Sequence, residues 1–287
     1  DAVYLQLGLD KPLIQQYLIY LSDITRGDFG TSIMTTRPVL DDIIRFFPAT
    51  LELATIATFF GVILGIPMGV LAAVNQGRLI DHVIRIIGLF GYSVPIFWLG
   101  MVALLVFYAA LGWLPGPGRI EVYYDGIVEA RSGIILIDSA LQGEWEIFWN
   151  ALHHLVLPSA MLATFALAYI ARMTRSFMLD QLNQEYILTA RVKGLSESAV
   201  IWRHAFRNVL VQLITIIGLT YASLLEGSVL TETIFAWPGI GQYITTSLFN
   251  ADMNAVIGGT VVVGFCFVGI NVLSDILYRI ADPRARE

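Results

Sequence analysis

Five long apolar runs, almost free of charge, constrain the fold of this 287-residue chain more than any other feature. A helix needs about 20 apolar residues to cross a bilayer, with a range of roughly 17 to 25. A charge at mid-bilayer would cost at least about 2.5–3.5 kcal/mol on insertion scales, which explains why the runs are uncharged. The mean hydropathy is +0.71, which is too high for a soluble fold. We therefore predict an all-α, polytopic membrane bundle with spans at 51–74, 86–111, 155–171, 209–225 and 253–274, the first with Glu52 at its edge.

Basic residues are distributed unevenly over the segments between these spans. Segments 75–85, 172–208 and 278–287 hold eleven Lys and Arg residues, whereas the longer segments 1–50, 112–154 and 226–252 hold six. Cytoplasmic loops of membrane proteins are enriched in Lys and Arg. We therefore expect the first set, including the C-terminus, in the cytoplasm and the second set outside. Residues 1–50 would form an outer arm, and residues 51–287 a membrane domain with an outer loop at 112–154.

The arm is predicted to lie along the membrane surface. Apolar and polar residues alternate in DKPLIQQYLIYLSDI (10–24), a pattern typical of an amphipathic interfacial helix. The segment RPVLDDIIRFFP (37–48) resembles a second interfacial helix, with Pro38 near its first turn. In the first span, the glycines of GIPMG (65–69) indicate close helix packing.

A charged segment, residues 185–208, separates two of the apolar runs and is here called the elbow. Gly194 can take a left-handed cap conformation and Ser196 is a favoured N-cap, which predicts two short helices rather than one rod. The loop around it, 172–208, is much longer than the 2–8 residues usual between bundle helices. A stripe of apolar residues outside the lipid indicates a protein partner, although a solvated loop that merely follows the charge rule is the alternative. The stripe consists of Leu188, Val192, Leu195, Ala199, Trp202 and Phe206.

The elbow is similar to the cytoplasmic EAA loop of bacterial ABC importer permeases, in particular those of the dipeptide/oligopeptide/nickel group. Further stretches resemble that group in the same order, namely PATLELA (48–54), GYSVPIFWLGM (91–101), LTETIFAWPGIGQY (230–243) and DPR (282–284). The family has one more membrane helix before the arm, so the resemblance implies six spans and the type I ABC importer permease fold. The matching elbow residues are Tyr186, Thr189, Ala190, Lys193, Gly194, Leu195, Ser196, His204, Ala205 and Asn208.

The resemblance implies a permease subunit that forms half of a pore in the bacterial inner membrane. Its partners would be a second homologous permease, two ATPase subunits and a periplasmic binding protein that delivers di- or oligopeptides. ATP and Mg would be bound by the ATPases, with no cofactor on this chain. The elbow would contain a coupling helix that docks on an ATPase. Its predicted docking residues are Tyr186, Leu188, Thr189, Ala190, Arg191, Lys193, Gly194 and Leu195.

Two further groups of residues are candidates for function. The segment 231–249 combines aromatic residues with a Pro-Gly turn, and the resemblance favours an outer gate or receptor-docking role over a plain interfacial connector. Small and hydroxyl residues in the spans are candidates for a substrate path, although helix packing is the common role of such residues. The first group is Glu232, Phe235, Trp237, Pro238 and Gly239; the second is Tyr92, Ser93, Thr164, Tyr221 and Glu226.

No pattern for catalysis is present in the sequence. There is no glycine-rich phosphate loop with Lys-Ser/Thr, and no acid–base pair lies within a span. His153 and His154 have no Cys or carboxylate at ligand spacing, so no metal site is predicted. The net charge of −6 argues against a nucleic-acid partner. The open alternatives are the same machinery importing a nickel complex, haem, glutathione or a glycoside, a secondary transporter, or a membrane-embedded enzyme.

Overall fold

The computed structural model describes residues 11–281 and confirms the predicted helical bundle. The first ten residues and the tail 282–287, with Arg284 and Arg286 of the basic count, lie outside the described residues. Within 11–281 there is no β-strand, only one isolated bridge between Thr31 and Pro38. A π-helical segment, Leu104–Ala110, directly follows the helix Ile96–Ala103. Another, Ala199–Ala205, directly precedes the helix Phe206–Gly227. The α-helices are α1 Leu13–Thr25, α2 Val39–Val74, α3 Leu79–Ser93, α4 Ile96–Ala103, α5 Ile135–Gln142, α6 Trp145–Leu182, α7 Glu185–Val192, α8 Phe206–Gly227, α9 Val229–Ile234, α10 Ile240–Phe249 and α11 Met253–Ala281.

Four unbroken helical stretches in the described part are long and apolar enough to cross a membrane. They are Val39–Val74, Trp145–Leu182, Ala199–Gly227 and Met253–Leu277, and they contain four of the five predicted spans. Each extends beyond the predicted apolar run. The 38 residues of α6 span about 57 Å, nearly twice the roughly 30 Å of a hydrocarbon core, so its polar ends project beyond the lipid.

The predicted span at 86–111 corresponds to a bent pair of helices rather than one straight helix, because the chain breaks between α3 and α4. The two helices, α4 with its π-helical extension, meet at 96°. Pro95 has no amide hydrogen, and a proline disfavours the helical conformation of the residue before it. Val94 is accordingly extended, with φ −80° and ψ 126°. The break leaves Tyr92 near the end of α3, where its side chain is half-exposed.

The second interfacial helix predicted at 37–48 is also wrong, because this segment begins the spanning helix α2. The helix starts directly after Pro38, and Val39 and Ile43 are buried in a cluster that includes Phe29 and Ile240. This chain therefore covers one side of this end of α2, whereas Ile44 on the other side is 64% exposed. The helix predicted in the arm is present as α1, none of whose residues is buried. Helix α2 thus runs without a break across the predicted domain boundary at 50/51.

Three glycines on one side of α2 allow its backbone to approach α6. Gly61, Gly65 and Gly69 are four residues apart and therefore share a helix face. A Cβ atom added at Gly69 would lie 2.5 Å from the Cβ of Thr174 and 2.6 Å from the carbonyl oxygen of Ala171. Close approach through small residues is a common way for membrane helices to pack. The packing role predicted for GIPMG is confirmed.

Replacing Gly69 by leucine should lower the stability of the bundle by at least about 1–3 kcal/mol, the usual cost of overpacking. The carbonyl of Ala171 cannot move away without displacing α6. Thermal unfolding of the purified protein in detergent measures the effect. Gly264→Leu is the matched control, because nothing lies within 4 Å of a Cβ added at Gly264 on α11. Equal Tm values for the two variants would contradict this account of the α2–α6 contact.

Candidate functional site

The elbow consists of two helical segments joined at a glycine, as predicted. Helix α7 ends at Val192, and Gly194 has a φ of +77°, the left-handed conformation that favours glycine. The amide N–H of Leu195 donates to the carbonyl of Ala190 at 3.3 Å, which closes the turn. The hydroxyl oxygen of Ser196 accepts the N–H of Ala199 at 3.4 Å, in the manner of an N-cap.

The two sides of the elbow have different surroundings. Ile187 and Ala190 are buried in a cluster with Val70 and Met178, which fixes α7 to the bundle. In contrast, Leu188 and Val192 expose 63% and 80% of their surface. Apolar side chains this exposed, next to one another and outside the spans, are typical of a surface that another protein covers. This surface, with Leu195 and Trp202, is called the elbow face below; both of these residues are exposed.

Ala190 is the one predicted docking residue whose assignment is wrong. It is 6% exposed and contributes to the interior of this chain, because the two sides of α7 alternate every one to two residues. The other predicted docking residues are accessible. Tyr186 is 37% exposed, and its hydroxyl accepts from the side-chain amide of Asn208 at 2.9 Å. The accessible set is Tyr186, Leu188, Thr189, Arg191, Lys193, Gly194 and Leu195.

An ion pair crosses the turn of the elbow. The Nε of Arg191 donates to Glu197 at 2.9 Å, and both side chains are exposed. A pair of this kind contributes little to stability. The second helical segment is held against α7 by Val200 and Ala205, which are buried in the same cluster as Ile187, so the elbow face is presented as one surface.

The residues predicted for an outer gate or receptor docking are not on the surface, so the docking part of the prediction is wrong, whereas the gate stays a prediction. Glu232 and Trp237 are each 0% exposed, and Phe235 and Gly239 are also buried; Pro238 is half-buried. The indole N–H of Trp237 donates to the carbonyl of Ala49 at 2.9 Å. This hydrogen bond therefore joins the turn before α10 to helix α2. Aromatic residues beside a Pro-Gly turn occur both as exposed interfacial anchors and as buried packing residues, so the sequence pattern alone does not distinguish the two.

Glu232 is the centre of this buried arrangement. Its carboxylate accepts from the hydroxyls of Thr50 at 2.6 Å and Ser228 at 3.0 Å, and from the amide N–H of Gln242 at 3.0 Å. Three donors satisfy the carboxylate. A Cβ added at Gly239 would lie 2.5 Å from this carboxylate, so the turn needs glycine there.

The stability of the protein should fall as pH rises through the titration of Glu232. Burial raises the pKa of this carboxyl above its usual range, and the hydrogen bonds from Thr50 and Gln242 offset only part of the effect. The folded state therefore binds the proton more tightly than the unfolded state. The contribution is complete below the unfolded pKa and is lost above the folded pKa, at about 1.4 kcal/mol per unit of difference. Glu232→Gln should flatten the dependence of Tm on pH between pH 4 and 8; an unchanged slope would contradict the assignment.

An ion pair that the sequence did not predict joins the first span to the outer loop. The Nε of Arg119 donates to Glu52 at 3.0 Å, and the guanidinium also donates to the carbonyl of Gly133 at 2.9 Å. The side chain of Glu52 is 2% exposed and that of Arg119 is 16% exposed. The only signal in the sequence was one acid at the edge of an otherwise uncharged run.

The structure brings two of the predicted substrate-path residues together. Tyr92 and Thr164 line a cavity of about 290 Å³ together with Ser223. Of the other three, Tyr221 is hydrogen-bonded to Thr55 of α2 at 3.1 Å, outside this cavity. The remaining two, Ser93 and Glu226, are exposed and do not line it.

A second cavity, of about 650 Å³, lies between α3 and α6 closer to the elbow. It contains three arginines, Arg85, Arg172 and Arg175, together with apolar residues. Tyr92 lines this cavity as well as the smaller one. The two cavities thus adjoin along α6.

An apolar helical bundle with a broken span and an exposed elbow defines an integral membrane component. The chain belongs to the family described as binding-protein-dependent transport system inner membrane component, whose pattern matches residues 65–287. It is therefore a multi-pass transport permease of that family.

Among named relatives, the chain is 47% identical over 279 residues to a probable D,D-dipeptide transport system permease protein of Escherichia coli K12, covering 97% of this chain and 82% of the relative. It is 44% identical to a di/tripeptide transport system permease protein of Pseudomonas aeruginosa, covering 98% and 83%. An inward-facing structure of the MetNI methionine ABC transporter has a similar fold, with a TM-score of 0.64 at 17% identity, covering 84% of this chain and 96% of that one.

Proposed function

We propose that this chain is one of two permease subunits of an ATP-driven importer that carries di- and oligopeptides across the bacterial inner membrane. The observation that carries the proposal is the elbow face. Leu188 and Val192 expose apolar surface that this chain does not cover and that lies outside the candidate spans. A groove on an ATPase subunit would bury that surface, and closure of the two ATPases would move the elbows and switch the pore between its two accessible states.

The orientation of the chain supports this arrangement. The eleven basic residues on the elbow side support a cytoplasmic elbow and C-terminus, on the side where ATPase subunits and ATP are found. The arm and the outer loop then face the periplasm. A binding protein would approach from that side. Since the buried residues Glu232 and Trp237 do not reach the surface, it would meet exposed neighbours such as Thr233 and Ala236.

The chain itself would break no bond. We assign ATP, Mg and hydrolysis to the ATPase subunits, and transport alone to this subunit. Peptides are the favoured cargo over nickel complexes, haem, glutathione or glycosides, because the relatives at 47% and 44% identity are named for D,D-dipeptide and di/tripeptide transport. A secondary transporter is disfavoured because the family is named for transport that depends on a binding protein.

Reconstitution tests the proposal. The chain is co-expressed with the second permease, the two ATPases and the binding protein of its system, and the membrane complex is placed in proteoliposomes. We expect uptake of a labelled dipeptide that requires both ATP on the elbow side and the binding protein. Uptake driven by a proton gradient without ATP, or recovery of the chain without any ATPase, would contradict the proposal.

A further inference from the structure

The two cavities lined by Tyr92 adjoin along α6, and together they are called the groove; it extends toward the elbow end of the bundle. The smaller cavity is lined by Thr164 and Ser223, and the larger one by residues about one to three turns further along α6. Tyr92 lies at the junction, because it lines both cavities and its ring stacks on Phe165 with centroids 5.6 Å apart. A solute that passes along the groove must therefore pass Tyr92.

Two arginines of α6 line the larger cavity, and only one of them is paired with a carboxylate of the described residues. Arg175 donates to both carboxylate oxygens of Asp81, at 2.6 Å and 2.8 Å. That carboxylate also accepts the N–H of Gly77 at 3.0 Å and is buried, so the pair is part of the contact between α3 and α6. Arg172 is one turn earlier on the same helix. Within residues 11–281 it forms no ion pair with a carboxylate.

Two tyrosine rings hold the side chain of Arg172. Its guanidinium carbon lies 5.0 Å from the ring centroid of Tyr92 and 5.4 Å from that of Tyr169. Contacts with aromatic faces orient a guanidinium and leave the N–H groups at its edge available. The edge of a guanidinium is a fork of donors that matches a carboxylate in two parallel hydrogen bonds.

We infer that Arg172, held by Tyr92 and Tyr169, binds the free C-terminal carboxylate of a peptide in the groove and is a specificity-determining residue. The inference rests on the proposed peptide transport. The smaller cavity is lined by hydroxyl and apolar side chains without charge, so a neutral peptide backbone can pass it. The larger cavity, at about 650 Å³, is within the range of small-molecule sites. The arginine is exposed, so the interaction is screened and allows release.

The phosphate of an anionic lipid is the competing ligand for such a basic cavity between membrane helices. A lipid headgroup would need only the larger cavity. The contact of Arg172 with Tyr92, which lines both cavities, instead places Arg172 near the point where the two cavities adjoin, and this favours a solute that moves along the groove. The test below distinguishes the two ligands.

Direct binding to the assembled complex, without the binding protein, tests the inference. A fluorescent dipeptide with a free carboxylate and the same dipeptide as its C-terminal amide are titrated into the complex in nanodiscs of neutral phosphatidylcholine. We expect the wild-type complex to bind the acid roughly tenfold more tightly than the amide, the size expected for one charge-assisted hydrogen bond. Arg172→Gln should remove this preference, and Arg172→Lys should retain part of it. Arg78→Gln, a matched loss of charge outside the cavity, should leave it unchanged.

Several results would overturn the inference. One is equal affinity of the wild-type complex for acid and amide, including no binding of either; another is an equal loss for both peptides in Arg172→Gln. Binding of phosphatidylglycerol that depends on Arg172 and does not compete with the acid would assign the site to lipid. Failure of the proposed function is a separate result, since the wild-type complex with its binding protein would then show no ATP-driven uptake of either peptide.

Discussion

Replacing Leu188 and Val192 together by aspartate is expected to abolish ATP-driven uptake while the protein still inserts and folds. The two side chains expose 63% and 80% of their surface, so the bundle loses almost no internal contact. In the assembled transporter, each would contribute about 1.5–3 kcal/mol if fully buried, and a carboxylate there would lack a partner. We expect uptake in proteoliposomes to fall by at least about a hundredfold, which corresponds to roughly 2.7 kcal/mol.

The control for this variant is Leu79→Asp. Leu79 is 77% exposed, lies at the same end of the bundle and is not part of the elbow; as the first residue of α3 it tolerates an acid at the helix N-terminus. We expect normal uptake. The buried neighbour Ile187, changed to aspartate, should instead prevent folding. If the double variant retains wild-type uptake, the elbow face does not dock on the ATPase.

The second large effect is expected at the buried ion pair of the outer loop. Arg119→Met leaves the carboxylate of Glu52 buried without its cation, and breaking such a pair costs about 3–5 kcal/mol. We expect a Tm many degrees below wild type, or no folded protein. Adding Glu52→Gln removes the charge while retaining an acceptor for the N–H of Leu136, which donates to Glu52 at 3.1 Å. The double variant should therefore be more stable than Arg119→Met alone.

The same loop offers a matched control. Arg131 pairs with Glu129 at 3.3 Å, but the two side chains are 64% and 74% exposed. Arg131→Met should not change the Tm measurably, because exposed pairs contribute little. If the double variant is no more stable than Arg119→Met, the loss comes from packing rather than from an unpaired charge.

The spans could be predicted from the sequence because a charge within the bilayer is costly, and the spans are therefore visible as long runs without charged residues. The exception is the break at 93–95, for which the only signal is Pro95 inside an otherwise apolar run. The start of α2 could not be predicted from its pattern. Asp41 and Asp42 suggest an interfacial helix, and only the tertiary contacts of Val39 and Ile43 show that one side of the segment packs against protein.

The candidate sites were predictable only where helical spacing decides which side chains share a face. The spacing of Leu188, Val192 and Leu195 gave the elbow face, which the structure confirms as exposed. Spacing could not show that Trp237 is buried, since aromatic residues are suited to both an interface and a core. Nor could it pair Glu52 with Arg119, which are 67 residues apart in the chain.

The accessibility of Val192 in the membrane tests the central claim most directly. In a chain whose own cysteine, Cys266, is replaced by alanine, Val192→Cys is treated with a thiol reagent that does not cross membranes. We expect no labelling of intact spheroplasts, rapid labelling of inverted vesicles when the permease is expressed alone, and strong protection once the ATPase subunits are co-expressed. Labelling from the outer side, or equal labelling with and without the ATPases, would contradict the account.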